Sequence, residues 1–396
     1  MSEQDKKTPA LYEGREQSWV KHEILKDYLL RLALIVGRHS DSITYIDGFS
    51  GPWNARGDKL EDASFSIALR MLRQARDQLL TQKQTVKLRC YFIEEDAAAF
   101  AQLDEFAKGI TDAEVVARNC EFESAIPDIV KFVRDSGRTF PFVFIDPTGW
   151  TGFAMKTIQP LLQLRPGEVL VNFMTRHIKR FIDAPEKMRH EEFEQLFGSD
   201  EYKQIPQGLN PQDREDAMVQ LYMRGLRQAG GFTYACAAMV LHPEIEATHF
   251  HLIYATRHPK GVEVFKEAEK RAMALQEAAR AEAQQRQRIQ RTGQGEMFGA
   301  KELAKVNHYA MLRERYTSSA KTLISERIEQ HGEIDYDLAW RIALSRPLVW
   351  ESDLKDWVKG WENDGRLRIA GLKTRERVPH YDKGHRLVRV PPQKST

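Results

Sequence analysis

Four short segments each combine an acidic or amide side chain with a change of chain direction, and each follows a run of β-branched or aromatic residues. They are Asp47-Gly48-Phe49-Ser50-Gly51, Ile93-Glu94-Glu95-Asp96, Arg118-Asn119-Cys120 and Asp146-Pro147-Thr148-Gly149-Trp150. Carboxylates and amides can hydrogen-bond to the hydroxyl and amino groups of a ligand, and glycines let a ligand approach the backbone. One such segment could be an ordinary turn or a helix cap. Four of them at successive strand ends favour a binding site.

The elements that must position these segments alternate along the chain. We predict strands at 43–49, 88–94, 114–117, 140–145 and 168–173, with helices at 64–80, 97–108, 121–134 and 154–164 between them. This rhythm is typical of βαβ units and a mostly parallel sheet. Ligands of such open sheets bind beyond the carboxyl ends of the strands, where the strand order reverses. The predicted fold class is therefore a Rossmann-like α/β sheet with helices on both faces, of the class I methyltransferase type.

The strand-end residues favour a cofactor that carries adenosine. An acid after the second strand, here Glu94, typically binds ribose hydroxyls, and Asn119 after the third could meet an adenine edge. The chain contains neither the G-x-x-x-x-G-K-[ST] loop of P-loop nucleotide sites nor the dinucleotide fingerprint G-x-G-x-x-G. S-adenosylmethionine fits this pattern best, with the turn 47–51 beside it.

The segment after the fourth strand indicates chemistry on a nucleic-acid base. Enzymes that methylate exocyclic amines of bases often carry an acid or amide, then prolines and an aromatic residue, at this place. Asp146 and the Pro147 carbonyl would accept hydrogen bonds from the amine, and Trp150 would stack on the base. The segment reads D-P-T-G-W, without the second proline and with the aromatic residue one place late. Adenine chemistry is therefore one possibility that the motif leaves open.

Seven stretches between residues 19 and 272 resemble, in the same order, the three-Cys-motif partner proteins. They are WVKHEIL, YIDGFSGP, CYFIEED, FVFIDPTGW, EVLVNF, LFG and FHLIYATRHPKGVEVF. That family is named for a frequent neighbour in bacterial genomes, a phage-type protein with three cysteines that resembles radical enzymes. The resemblance implies a bacterial protein with a three-cysteine-motif protein as its partner. Trp53 stands where this family usually has glycine, which implies a narrower cofactor mouth or a part of the substrate wall.

A more distant resemblance is to the bacterial enzyme that methylates an adenine of large-subunit ribosomal RNA. The shared features are a Lys-His pair in the first helix, an acid-led turn after the first strand, and a serine that opens the next helix. The resemblance implies that Asp146 lies at the target amine and that five residues contact the cofactor: His22, Asp47, Ser64, Glu94 and Asn119. Gly48 and Gly51 belong to the same predicted cofactor site.

Composition gives an ordinary globular protein with room for two domains. The 396 residues carry a formal net charge of +2, which neither favours nor excludes a polyanionic partner. The three cysteines lie far apart, so we expect reduced thiols and no metal site. The polar amino terminus does not resemble a signal peptide, and no apolar run approaches the roughly 18 residues of a membrane span. We therefore expect a cytoplasmic protein without membrane contact.

Changes in composition along the chain predict three parts. Residues 1–275 form the methyltransferase-like domain, with a helical elaboration at 176–230, and the Ala-, Glu-, Gln- and Arg-rich stretch 276–300 is a helical linker. Short helices followed by a β-ribbon predict a winged helix-turn-helix at 301–396. Residues 366–394 contain nine basic side chains against two acidic ones, which favours contact with nucleic acid. The helices before them are acidic and aromatic, so docking of a protein stays open.

Two hypotheses of function follow from these patterns. The first is an S-adenosylmethionine-dependent methyltransferase that acts on nucleic acid, at an adenine amine, together with the three-cysteine-motif partner. The second is a non-catalytic module that keeps the fold and binds a partner protein, as the altered D-P-T-G-W motif and Trp53 favour. A small-molecule methyltransferase is a third reading, in which the basic tail has no evident purpose.

Overall fold

The computed structural model describes residues 7–51, 55–57, 60–181, 187–292 and 308–391. The chain divides into two compact units, Met1–Leu303 and Ala304–Thr396. Among the described residues, no helix combines the length and the apolar character that a membrane crossing requires.

One mixed sheet forms the centre of the first unit. Its strands are β1 (Ser42–Asp47), β2 (Lys87–Glu94), β3 (Glu114–Asn119), β4 (Thr139–Ile145), β5 (Glu168–Phe173), β6 (Tyr234–Leu241) and β7 (Thr248–Thr256). They lie in the order β3-β2-β1-β4-β5-β7-β6. The first five are parallel, and β7 runs antiparallel to both β5 and β6. The order reverses between β1 and β4, so the carboxyl ends of these two strands flank the switch point where ligands bind in such sheets.

Helices cover both faces of this sheet. They are α1 (Glu16–Val36), α2 (Ser64–Thr81), α3 (Ala97–Lys108), α4 (Phe122–Arg134), α5 (Met155–Leu162), α6 (Thr175–Phe181), α7 (Lys187–Phe197), α8 (Pro211–Gly230) and α9 (Pro259–Thr292). Helices α1, α2 and α9 pack on one face, and α4, α5 and α8 pack on the other. Because successive side chains point to opposite faces, Tyr45 packs under the first group and Ile46 under the second. The predicted α/β sheet with helices on both sides is confirmed, and it is consistent with a Rossmann-like methyltransferase fold.

The segment predicted as a linker is instead part of the first unit as far as it is described. Helix α9 continues without a break to Thr292, and Ala279 on it is fully buried. The Gln276 side-chain oxygen accepts a hydrogen bond from the backbone N–H of Leu241 at 2.8 Å. Small alanine side chains allow this close approach, although the charged composition predicted a solvated helix. Residues 293–300 lie outside the described residues.

In its described residues, 308–391, the second unit combines three helices with a small antiparallel sheet. Its elements are α10 (His308–His331), β8 (Glu333–Asp335), α11 (Tyr336–Leu344), α12 (Glu351–Asn363), β9 (Leu367–Ala370) and β10 (Arg386–Arg389), with strand order β8-β10-β9. The sequence predicts two helices, at 303–315 and 320–330, where α10 is continuous. The helix passes through this polar stretch, where the Thr317 hydroxyl donates hydrogen bonds to the carbonyls of Arg313 and Glu314 within the same helix. The three-residue strand β8 was not predicted.

Arg257, directly after β7, connects several helix and loop ends of the first unit. Its guanidinium group lies over the Phe232 ring, 4.3 Å from the centroid. It donates hydrogen bonds to four backbone carbonyls, those of Leu162, Leu164, Gly167 and Gly230. Carbonyls at helix ends have no partner within their own helix, so this single side chain satisfies groups from both α5 and α8.

Replacing Arg257 with methionine should destabilise the first unit strongly. The four carbonyls lose a charged donor while the aliphatic part of the side chain is kept, so we expect the free energy of unfolding to fall by about 3 kcal/mol or more. Urea denaturation of the full chain measures this loss. Arg227→Met, at an exposed position of α8, should change the value by less than about 0.5 kcal/mol. Equal effects of the two substitutions would contradict the assigned role.

Candidate functional site

Asp47 ends β1, and its carboxylate is completely buried. Oδ2 accepts hydrogen bonds from the Ser64 hydroxyl at 2.7 Å and the Tyr45 hydroxyl at 3.1 Å, and Oδ1 accepts one from the Phe49 N–H at 3.2 Å. Ser64 is the first residue of α2. The carboxylate therefore fixes the end of β1 to the start of α2. Asp47 and Ser64 are two of the predicted cofactor residues, and they direct their polar groups at each other.

Burial controls the acid–base behaviour of Asp47. Desolvation raises the pKa of this carboxyl group from 3.8 to about 6, and the hydrogen bond from Ser64 opposes the rise only in part. The negative charge of Asp146, at the end of the adjacent strand, adds to the increase. Two of the four predicted strand-end residues are thus electrostatically coupled.

The turn after β1 needs glycine at position 48 for reasons of space. A Cβ atom there would lie 2.9 Å from the ring of Phe122, the first residue of α4. The Gly48 N–H donates to the Phe144 carbonyl of β4 at 3.0 Å. Gly48 therefore allows α4 to pack directly against the backbone at the switch point.

Ser50 connects the same turn to β2. Its N–H donates to the Ile93 carbonyl at 2.7 Å, and its hydroxyl accepts from the Ile93 N–H at 3.2 Å. Gly51 follows as a half-buried residue. Trp53, which the family resemblance singled out, lies outside the described residues.

Glu94 and Asn119 lie side by side at the ends of β2 and β3. Glu94 is buried, and its Oε1 accepts a hydrogen bond from the Asp96 N–H at 2.7 Å. Asp96 is the residue that caps α3, so the strand-end acid and the helix cap are different side chains. The Asn119 amide nitrogen donates to the carbonyls of Glu94 and Glu95 at 2.9 and 3.0 Å. Its N–H groups therefore fix the strand end.

Asp146, at the end of β4, contacts two side chains that sequence reasoning did not select. Oδ2 lies 2.5 Å from the Lys21 ammonium group on α1, and Oδ1 accepts a hydrogen bond from the Asn172 amide of β5 at 2.7 Å. Asn172 is buried, and among the described residues its Oδ1 has no hydrogen-bond partner. Signals for both existed: Lys21 precedes His22, and Asn172 is the polar residue near the end of an apolar strand.

His22 lies buried on α1 and contacts the segment before that helix. Its Nδ1 is 2.9 Å from the Tyr12 hydroxyl, and the two rings meet edge to face at 5.7 Å. Burial, assisted by the positive charges of Lys21, Arg15 and Lys26, lowers the pKa of His22 well below its usual value. The imidazole is therefore neutral at pH 7. The structure gives it a packing partner, and cofactor contact stays a prediction.

A second acid, Asp62, holds the backbone of Arg56 and Gly57, which belong to the loop that follows Gly51. Its carboxylate accepts hydrogen bonds from the Arg15 side chain at 2.5 Å and from the N–H groups of Arg56 and Gly57 at 3.1 and 3.2 Å. Burial acts to raise the pKa of Asp62, but these hydrogen bonds outweigh it and the net shift is downward. Asp62 connects this loop to the start of α1, and no motif in the sequence indicated it.

The segment after Asp146 packs on the helical elaboration. Pro147 is buried. The Trp150 indole N–H donates to Glu192 at 2.9 Å, and its ring lies 5.9 Å from that of Phe193, both on α7. Trp150 thereby fixes the turn after β4 to α7. Stacking on a substrate base stays a prediction that this packing does not support.

The structure thus collects Asp47, Glu94, Asn119 and Asp146 at the carboxyl ends of four adjacent strands. Lys21 and Asn172 join this group through Asp146. Within the described residues no group of His, Cys, Asp and Glu side chains could hold a metal ion. The polar strand ends and the Gly48 turn are suited to an organic ligand with hydroxyl and amino groups.

Comparison with known proteins gives likenesses of shape alone. No protein-family model and no curated protein matches the chain. Among solved structures it is similar to a protein from Legionella pneumophila assigned to family DUF519, with a TM-score of 0.37, 11% identity, and coverage of 66% of this chain and 92% of that one. It is also similar to a loganic acid methyltransferase with SAH, with a TM-score of 0.29, 7% identity, and coverage of 72% and 92%. At such TM-scores, neither likeness assigns a function.

Gly48→Ala should destabilise the protein, whereas Gly149→Ala should not. The added methyl group at 48 forces the Phe122 ring to move, which we expect to lower the free energy of unfolding by about 1–3 kcal/mol. A Cβ at Gly149 meets no atom within 4 Å, so the change there should stay below about 1 kcal/mol. Urea denaturation of both variants makes the comparison. Similar losses at the two sites would contradict the steric explanation.

Asp47 should make stability depend on pH between about 4 and 6. The folded protein binds this proton more tightly than the unfolded chain, whose carboxyl group has its ordinary pKa. The free energy of unfolding therefore falls as pH rises through this window, by on the order of 3 kcal/mol.

Urea denaturation at several pH values tests this assignment with two variants. Asp47→Asn should lack the decrease, so its stability relative to the native protein improves from pH 4 to pH 7. Asp146→Asn should retain a smaller decrease, because one charge that raises the Asp47 pKa is gone. If the native protein and Asp47→Asn gave parallel pH profiles, the carboxyl group would not have a raised pKa.

Proposed function

We propose that the first unit binds S-adenosylmethionine at the ends of β1, β2 and β3 and methylates an exocyclic amine of nucleic acid, an adenine amine above all. One observation carries this proposal. The strand-end residues Asp47, Glu94, Asn119 and Asp146 lie on four adjacent strands around the reversal of strand order. In open α/β sheets that place is where nucleotide-like ligands bind.

The chain's own groups fit such a cofactor. Glu94 offers a buried carboxylate at the end of β2, and carboxylate oxygens accept hydrogen bonds from ribose hydroxyls. Asn119 can meet the adenine edge through its amide oxygen, since its N–H groups are used by backbone carbonyls. Asp47 acts as a positioning residue, because its three hydrogen bonds shape the turn that approaches the ligand.

Methyl transfer needs alignment of the amine more than acid–base help. When bound, S-adenosylmethionine supplies a methyl group on a positively charged sulfur. Asp146 orients the amine by accepting a hydrogen bond from one of its N–H groups. A carboxylate has about four acceptor sites, and Lys21 and Asn172 use two of them, so acceptor capacity remains. The buried Oδ1 of Asn172 is a second acceptor for the same amine.

The second candidate function is a non-catalytic module that binds a partner protein. Both oxygens of Asp146 already have partners, and Trp150 packs on α7. These contacts favour a strand end that serves structure. The three-cysteine-motif protein is the partner that the family resemblance implies for either function.

The second unit, we propose, is a winged helix that assists nucleic-acid binding. The order of its elements supports this, with α11 and α12 preceding a β-ribbon. In the loop between β9 and β10, four basic side chains are exposed: Lys373, Arg375, Arg377 and Lys383. Buried His385 anchors this loop, with Nδ1 accepting from the His380 N–H at 2.9 Å and Nε2 3.2 Å from Glu376. A fixed loop with exposed cations suits phosphate contact.

Calorimetric titration of the full chain with S-adenosylmethionine tests the cofactor site. Glu94→Gln should weaken binding by about tenfold, a loss of about 1.4 kcal/mol, because the buried acceptor for the ribose is altered. Glu95→Gln is the matched control. The Glu95 carboxylate is next in sequence but exposed, so its replacement should not affect binding. Asp146→Ala should bind the cofactor normally.

Transfer is then measured with labelled cofactor and with bacterial RNA and DNA, followed by mass spectrometry of nucleosides. Methylated adenine produced by the native chain and lost in Asp146→Ala, which removes the acceptor, supports the enzyme. If the folded protein binds no cofactor, alone or with the three-cysteine-motif partner, the methyltransferase proposal fails and the non-catalytic binding module takes its place. Binding without methylation of any nucleic acid would eliminate the proposed substrate.

A further inference from the structure

A group of basic side chains from α1, β7 and the start of α6 lies near Asp146. The Lys21 ammonium group contacts Asp146 and lies 6.0 Å from the centre of the Phe250 ring in β7. The ring of His249 is 5.3 Å from that of Phe250 and 5.5 Å from that of His242. These contacts form a continuous path from Asp146 to the start of β7.

The start of α6 lies next to the same end of β7. Phe173, the last residue of β5, pairs with His251, and the Thr175 hydroxyl is 2.7 Å from the His251 Nδ1. These contacts hold the backbone directly before Arg176, whose side chain is exposed. Among the described residues no carboxylate pairs with its guanidinium group.

The electrostatics of His249 indicate an excess of positive charge here. Burial first, and then the positive charges of His242, Arg176, His177 and Lys21, lower its pKa to about 4. His249 is thus neutral at pH 7, and its buried Nδ1 has no hydrogen-bond partner among the described residues. Arg176 and Lys21 carry permanent charges in this group, and a bound anion would be attracted to both.

We propose that Arg176, Lys21 and His249 form a subsite for a backbone phosphate of the substrate, next to the amine that Asp146 orients. This assignment rests on the proposed function, and it makes a phosphodiester strand the substrate class of that site. Phosphates account for half or more of the hydrogen bonds in protein–DNA interfaces, and they position the strand. A phosphate between Arg176 and Lys21 places the neighbouring base at Asp146. It also compensates the positive charges that crowd His249.

Fluorescence anisotropy with a labelled ten-nucleotide oligothymidylate tests the subsite on the full chain. The probe contains no adenine, so it does not compete for an adenosine pocket. Arg176→Gln should weaken binding by about tenfold and lower the salt slope of the logarithm of affinity by about 0.7, the value for one phosphate on a single strand. Arg176→Lys should restore much of the affinity. Arg134→Gln is the matched control, because Arg134 is exposed where α4 ends, shortly before the start of β4 and away from the carboxyl ends of the strands.

A second probe separates charge from shape. A methylphosphonate oligomer of the same length carries no backbone charge, so it should bind the native chain and Arg176→Gln equally. Identical affinity and salt slope for the native chain and Arg176→Gln with the charged probe would overturn the subsite. An equal loss of affinity in Arg134→Gln would also overturn the subsite.

Titration with S-adenosylmethionine distinguishes failure of the subsite from failure of the enzyme. Cofactor binding that is normal in Arg176→Gln, with unchanged oligonucleotide binding, would remove the subsite and leave the proposed function. Oligonucleotide binding that depends on Arg176, in a chain that binds no cofactor, would support the subsite and remove the enzyme.

Discussion

The buried carboxylate of Asp47 is the interaction on which the candidate site depends. It accepts three hydrogen bonds, from Tyr45 in its own strand, from Phe49 in the turn, and from Ser64 at the start of α2. Removing an ion from water costs far more than one hydrogen bond returns, so the group persists only because all three donors converge on it. The turn, the adjacent helix and the strand end therefore keep one geometry together, and Glu94 and Asp146 are placed relative to that geometry.

A second carboxylate on the neighbouring strand makes this arrangement costly. Asp146 and Asp47 repel each other, and the pKa of Asp47 rises in part for this reason. The Lys21 ammonium group supplies the opposite charge, and it comes from α1 across the face of the sheet. Helix α1 is thus an electrostatic part of the site as well as a cover for the core.

The sequence predicted the sheet because its signals are local. Apolar runs between acid-led turns located β1 to β5 to within two residues at either end, and the strand-end residues followed from the same runs. The sequence did not indicate Lys21 and Asn172 as site residues, because their contacts with Asp146 form only when α1 and β5 pack beside β4. The packing of α9 was not predicted for a related reason. Its alanines are buried by helix α1 and strand β6, and composition alone does not show which elements a helix packs against. Trp150 looked like a stacking platform because nothing nearby in sequence indicates that α7 covers it.

The two candidate functions make opposite uses of one cluster. In a binding module, the contacts of Lys21 and Asn172 with Asp146 are the final state, and they neutralise a strand end near the buried Asp47. In a methyltransferase the same contacts align a carboxylate that still has acceptor capacity, and the orphaned Oδ1 of buried Asn172 has a purpose. A buried acceptor without a partner costs free energy in a purely structural role. In the enzyme that we propose, an amine that reached this oxygen would complete the hydrogen bonding of the site, and this is one physical reason to test for a substrate there.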